Sequence, residues 1–229
     1  MATAVRVNPA PDLSRPVTAG CLAVGAFGSR VADLLTSALP GAQRFAGPAE
    51  AFAAGAGAVV LALWRPSPSL CEQVDELAFK TGRPWLPVIA EHPVIRIGPW
   101  VAPPAAPCYD CYRARRVQHD EQYKTTALLH DAYDRDMSCG PAGFLPHHAR
   151  TAAGIALSML EAAARGTPVT GRVVTAGLTR LGVSADHVVP VHGCARCSPP
   201  GAAAEPDLRA VFRLRQAEPS ARPAVPGCP

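Results

Sequence analysis

Two Cys-x-x-Cys pairs, Cys108-Tyr-Asp-Cys111 and Cys194-Ala-Arg-Cys197, constrain this chain most. Two residues between thiols is the spacing at which one turn presents two thiolates to one ion. Two such turns complete the four-sulfur tetrahedron of a closed zinc site. A compact zinc finger keeps its pairs close in sequence, but here residues 112–193 lie between them. A shared metal would pin two distant segments of one fold, which is a structural duty and not a chemical one. Disulfides and a redox Cys-x-x-Cys are the alternatives, although a thioredoxin-like motif sits once, at a strand-to-helix turn. Zinc at Cys108, Cys111, Cys194 and Cys197 is the expectation, and the function has to be sought elsewhere.

The 229 residues can bury a sizeable core, and one domain with appendages is expected. With 25 Pro, 19 Gly and 6% aromatics, helix packing must rely on small side chains. The net charge of +4 is mild for a nucleic-acid binder. The densest basic run, Arg113-Ala-Arg115-Arg116, reads as a solvated helix face, with a phosphate or acidic-partner patch as the alternative. Residues 1–16 read as a flexible arm without the apolar stretch of a signal peptide. No run approaches the roughly 20 apolar residues of a membrane span. A soluble, cytoplasmic protein is expected, and in that reducing compartment eight cysteines favour metal over disulfides.

Apolar runs and turn signals predict strands at 17–24, 43–45, 58–64 and 85–90. Helices are predicted over 29–39, 48–54 and 70–81. Ala58–Trp64 is the clearest buried strand, and residues 94–101 read as a hairpin arm with Gly98-Pro99 inside. Alternation of this kind implies parallel strands with right-handed crossovers: an α/β protein with a Rossmann-like, doubly wound, mostly parallel sheet. In the second half, 112–131 is charged and helical, Asp134–His148 is irregular, and 149–165 is an Ala-rich helix. Strands are predicted at 169–176 and 187–191, the second delivering Cys194. Residues 208–214 read as a further turn or strand in a Pro/Ala-rich, disordered tail over 201–229.

The turn Gly25-Ala-Phe-Gly28-Ser29 follows the first strand, where nucleotide folds cradle phosphate. It has two glycines where the usual fingerprint has three, and Phe27 sits where the backbone should lie open. Gln43, Arg44 and Phe45 stand where an acidic residue would hold a ribose. Gly25 and Gly28 therefore mark a degenerate cofactor turn, read as structural with a working nucleotide site as the alternative, and under the structural reading Phe27→Gly is expected to have little effect. Cys139, with His147-His148 beyond it, is either a nucleophile with its base or a structural loop thiol. Cys21 and Cys71 read as small apolar fillers, and Cys228 lies in the tail.

Further stretches extend the pattern: Gly82-Arg-Pro-Trp85-Leu-Pro-Val, Ile97-Gly98-Pro99, Pro107-Cys-Tyr-Asp-Cys-Tyr-Arg113 and His192-Gly-Cys-Ala-Arg-Cys197. With the order of elements, they resemble the ThiF / ubiquitin-activating superfamily over residues 17–200. Within it the chain is most similar to the cyclodehydratase partner proteins (Ocin-ThiF-like) of thiazole/oxazole-modified peptide and bacteriocin biosynthesis. The resemblance implies a structural zinc in the two Cys pairs. Adenylating members use ATP to activate a C-terminal carboxylate, but the Asp, Arg and Lys set expected after the central strand has no counterpart here, and Arg65 follows Trp64 instead. The peptide-modifying relatives imply a non-catalytic partner of a separate YcaO-type, ATP-using enzyme that forms azolines from Cys, Ser or Thr. They also imply binding of a precursor peptide, and a possible homodimer. Such relatives often carry an N-terminal winged-helix leader-recognition domain. With some sixteen residues before the first strand, leader recognition is expected on a separate leader-binding protein or on this fold's own surface. The rival expectations are an active adenylating enzyme and a stand-alone peptide-binding module.

Overall fold

The central strand is an unbroken apolar run, and the fold is built outward from it. The computed structural model describes residues 17–136, 138–180 and 182–197. The expected arm, the tail, the 208–214 segment and Cys228 lie outside the described residues. In chain order the elements are β1 (Thr18–Val24), α1 (Gly25–Ala38), β2 (Gly41–Arg44), α2 (Pro48–Ala53), β3 (Ala58–Leu63), α3 (Pro68–Thr81) and β4 (Trp85–Glu91). There follow β5 (Val94–Ile97), α4 (Tyr109–His119), α5 (Tyr123–Arg135), α6 (Pro146–Ala164), β6 (Arg172–Gly177) and β7 (Val183–His187).

All six residues of β3 are buried, because helices cover both faces of the sheet. Val60 and Ala62 pack with α1 and α6, while Val59, Leu61 and Leu63 face the core that includes α2 and α3. The strand order is β2-β1-β3-β4-β5-β6-β7. β1 pairs with β2 and β3, and β3 with β4, all in parallel. β5, β6 and β7 extend the sheet antiparallel. The parallel character thus ends at β4, since the His92-Pro93 link to β5 is too short for a crossover. The chain leaves β1 first to β2 on one side and then to β3 on the other. The carboxyl ends of β1 and β3 therefore form the switch point of the sheet.

Four expectations are corrected. α1 begins at Gly25 and not at residue 29, because Gly25 itself makes the turn with φ +73. The single helix expected over 112–131 breaks into α4 and α5, where the Asp120 carboxylate accepts a hydrogen bond from the Gln122 N–H at 2.8 Å. The Asp134–His148 segment is shorter than expected, as α5 runs to Arg135 and α6 starts at Pro146. The strand expected at 187–191 is β7 at Val183–His187, paired with β6. Pro190 has no N–H for a ladder, and Cys194 arrives on a turn beyond the strand. Among the described residues, no helix is long and apolar enough to cross a membrane.

Candidate metal centre and the crevice at the switch point

Cys108 is the N-cap of α4 and Cys111 lies in its first turn, both fully buried. Cys194 and Cys197 come from the turn after β7, held by the Cys194 N–H donating to the Val191 carbonyl. The Sγ separations are 3.8 Å for Cys108–Cys111, 3.6 Å for Cys108–Cys194 and 3.5 Å for Cys111–Cys197. All four sulfurs lie within 4.8 Å of one another. A tetrahedron with bonds of about 2.3 Å has sulfur–sulfur edges of about 3.8 Å, so the cluster has the dimensions of a four-thiolate site. All four are free thiols, and the three separations are well beyond the roughly 2.05 Å of a disulfide bond. The Val191 N–H donates to Cys111 Sγ at 3.3 Å.

Electrostatics differ around the cluster. Burial pushes the Cys197 thiol up to about 11 and the Cys108 thiol higher still. Burial also opposes the Cys194 thiolate. There, hydrogen bonds from the Cys197 and Arg196 backbone and from the neighbouring thiols outweigh it and bring the thiol down to about 7.

The inner residues of the two motifs join the cluster to the core. Arg196 reaches Asp110 of the first pair at 3.4 Å and the fully buried Asp75 of α3 at 2.9 Å. Its guanidinium also lies 4.5 Å from the Phe79 ring centroid. The other oxygen of Asp75 accepts from Trp85 Nε1 at 2.9 Å. The spacing of the cysteines was legible in sequence, but this chain of contacts was not.

The switch-point crevice is filled. A Cβ on Gly25 would overlap the Trp64 indole, so the indole covers the place where a phosphate would approach the turn. The Trp64 N–H donates to the Val24 carbonyl at 3.2 Å, closing the gap between the two strand ends. A Cβ on Gly28 would strike the Ala62 carbonyl, so this glycine serves the close packing of α1 on β3. Phe27 does not face the crevice. It is 1% exposed and packs edge-on against Phe144 at 5.4 Å, which overturns the expectation that Phe27→Gly is harmless.

Arg65 is buried between the Trp64 and Tyr133 rings and donates to the Tyr133 carbonyl at 2.6 Å. Asp134 accepts from the Ser67 hydroxyl at 2.8 Å and the Ser69 N–H at 3.0 Å. That carboxylate occupies the N-terminus of α3, the second place at this crevice where an anion would sit. ATP therefore does not fit the residues present. Beside this latch lies a cavity of about 340 Å3 lined by Trp64, Leu70, Gln73 and Asp134. Cys139 lies in the loop that follows, but no hydrogen bond joins it to His147 or His148 among the described residues. Those two rings instead meet edge-to-face, with centroids 4.2 Å apart. Cys21 and Cys71 are buried fillers, as expected.

No protein-family model matches the chain, and no curated protein matches it in sequence. Solved structures do match in fold. A heterocyclase in complex with substrate and cofactor superposes with a TM-score of 0.58 at 17% identity, covering 80% of this chain and 25% of that one. The heterocyclase TruD gives 0.61 at 17% identity, covering 93% of this chain and 31% of that one. E. coli MccB, solved with AMPCPP and selenomethionine MccA, gives 0.56 at 11% identity, covering 80% of this chain and 66% of that one. The chain thus spans a quarter to a third of the length of the two heterocyclases. What is shared at these identities is the fold.

Proposed function

We propose that this chain is a partner subunit, without catalysis of its own, of a peptide cyclodehydratase. In this reading it belongs with the ThiF-like partners in thiazole/oxazole-modified peptide biosynthesis. It serves a separate YcaO-type enzyme that spends ATP to form azolines from Cys, Ser or Thr. The motifs around the two Cys pairs and the fold shared with two heterocyclases support the setting. The observation that carries the non-catalytic role is the Trp64 indole on Gly25, with the Asp134 carboxylate already at the α3 N-terminus. Both places where a nucleotide would meet the backbone are taken by the chain's own side chains.

In the same reading Cys108, Cys111, Cys194 and Cys197 hold one structural zinc, which contributes folding free energy and ties α4 to the turn after β7. The unit spans residues 17–200, works in the cytoplasm and recognises a precursor peptide directly or through a separate leader-binding protein. A homodimer is the assembly implied by the family resemblance. The test is reconstitution. Adding this chain to the purified YcaO-type enzyme and precursor should raise the rate of water loss from the peptide, followed by mass spectrometry. ATP–pyrophosphate exchange by this chain alone would instead establish the adenylating rival.

A further inference from the structure

Helix α5 is thirteen residues long, yet Tyr133 is its single buried residue. Its C-terminal turn is fastened to the loop after β3 and the start of α3 by Arg65, Ser67 and Ser69 through Tyr133 and Asp134. The rest of its inner face overhangs space. Two cavities of about 240 and 220 Å3 lie beneath it, and both are lined by Pro66, Glu91, Arg116, Thr126 and His130. Together they form a gallery that runs under the helix and reaches solvent. Its larger half has an apolar wall of Ile89, Tyr109, Tyr112, Val117 and Tyr123. Val117 and Tyr123 are 56% and 46% exposed, an unusual state for such side chains beside a cavity.

The charges of the gallery are unevenly committed. Glu91 accepts from Arg96 Nε at 2.7 Å and from Arg116 Nη1 at 3.1 Å, so one carboxylate serves two guanidiniums. Arg96 is buried and also donates to the Gly98 carbonyl. Arg113 pairs outward with Glu72. The Asp120 carboxylate is taken by the Gln122 N–H and the Thr126 hydroxyl. Burial lowers the His130 imidazole and favours its neutral form. Arg116 is left half-exposed, lining both cavities, with one of its five donors engaged among the described residues.

We propose that the gallery under α5 binds an extended peptide that carries a carboxylate next to an aromatic or large aliphatic side chain. The carboxylate pairs with the spare fork of Arg116, the geometry in which arginine recognises carboxylates. The apolar neighbour enters the slot between Tyr112, Val117 and Tyr123. A triphosphate is disfavoured, because Glu91 and Asp131 stand at the same wall and a single guanidinium has donors to spare. In naming a ribosomal precursor as the natural source of this peptide, the inference rests on the function proposed above.

The test selects a phage-displayed pool of random short peptides on the tagged full chain, then measures the winners by fluorescence anisotropy. Winners should carry Asp or Glu beside Phe, Tyr, Leu or Ile. Arg116→Gln should weaken them by about tenfold or more, the usual loss for a charge-assisted hydrogen bond. Ala127→Trp, which fills the gallery from the exposed inner face of α5, should do the same, with unchanged thermal unfolding as the control. No enrichment, winners indifferent to both variants, or displacement by AMPCPP would overturn the proposal. If the reconstituted enzyme ignores this chain while the winners still depend on Arg116, the proposed function fails and the gallery stands.

Discussion

Arg196, inside the second Cys pair, places its guanidinium 2.9 Å from the buried carboxylate of Asp75 on α3. The relationship joins the sulfur cluster to the sheet core through Trp85, which donates to the same carboxylate. Burial pushes the Asp75 carboxyl up to about 6 from 3.8, against the opposing pull of Trp85 and Arg196. A folded-state pKa above the unfolded one means that the folded protein holds this proton more tightly. Stability from this group is therefore present at low pH and is lost as pH rises from about 4 through about 6, by roughly 3 kcal/mol in all. Asp75→Asn keeps an acceptor for Trp85 and should flatten this slope. The check is the difference in urea midpoint between wild type and variant across that window. Taking the difference cancels metal loss from the thiolates, which also follows pH.

Cys108→Ser and Cys194→Ser should each give insoluble or loosened protein, because each removes one corner of a tetrahedron that joins α4 to the turn after β7. Metal analysis should find one zinc per chain in the wild type and much less in either variant. Folded wild-type protein of normal stability without zinc would contradict the structural-metal reading.

Phe27→Ala should destabilise by about 3–5 kcal/mol, the usual cost of deleting a fully buried aromatic ring. Chemical denaturation measures it. A loss under 1 kcal/mol would mean that the ring is not packed against Phe144 in the core.

Gly25→Ala sets a Cβ against the Trp64 indole and strains a backbone with φ +73. Part of its cost should vanish in a Trp64→Ala background, while the strain part remains. A double-mutant cycle should show coupling of about 1 kcal/mol or more between the two sites. Additive effects would mean that the indole does not sit on the turn.

Asp134→Ala removes the acceptor for Ser67 and Ser69 and should cost about 1 kcal/mol, as a lost helix cap does. Hydrogen exchange should speed up over α5 and the start of α3, with the sheet unaffected. Uniform exchange changes would argue against a local latch.

Most of the fold was legible in the residues because its signals are local. The run Ala58–Leu63, the stop at Gly82 and the Cys-x-x-Cys spacings each report on their own neighbourhood. What escaped depends on chain segments meeting in space. Trp64 covers Gly25 because the sheet order sets the end of β3 beside the end of β1, and no spacing announces that. Asp134 reaches Ser67 only after α5 folds back. Phe27 was misread by its place in a motif, although it lies one turn before Val31 and two before Leu35, on the stripe that α1 buries. β7 shifted because its register follows β6, and the Val188–Val191 run alone suggested a strand.

Affinity capture of the tagged full chain from a lysate of its native cells, with bound proteins identified by mass spectrometry, tests the central claim most directly. The account predicts recovery of a YcaO-type, ATP-using enzyme, a short precursor peptide, or both. Recovery of a small carrier protein with a Gly-Gly end and no such enzyme, together with ATP–pyrophosphate exchange by the captured chain, would contradict it.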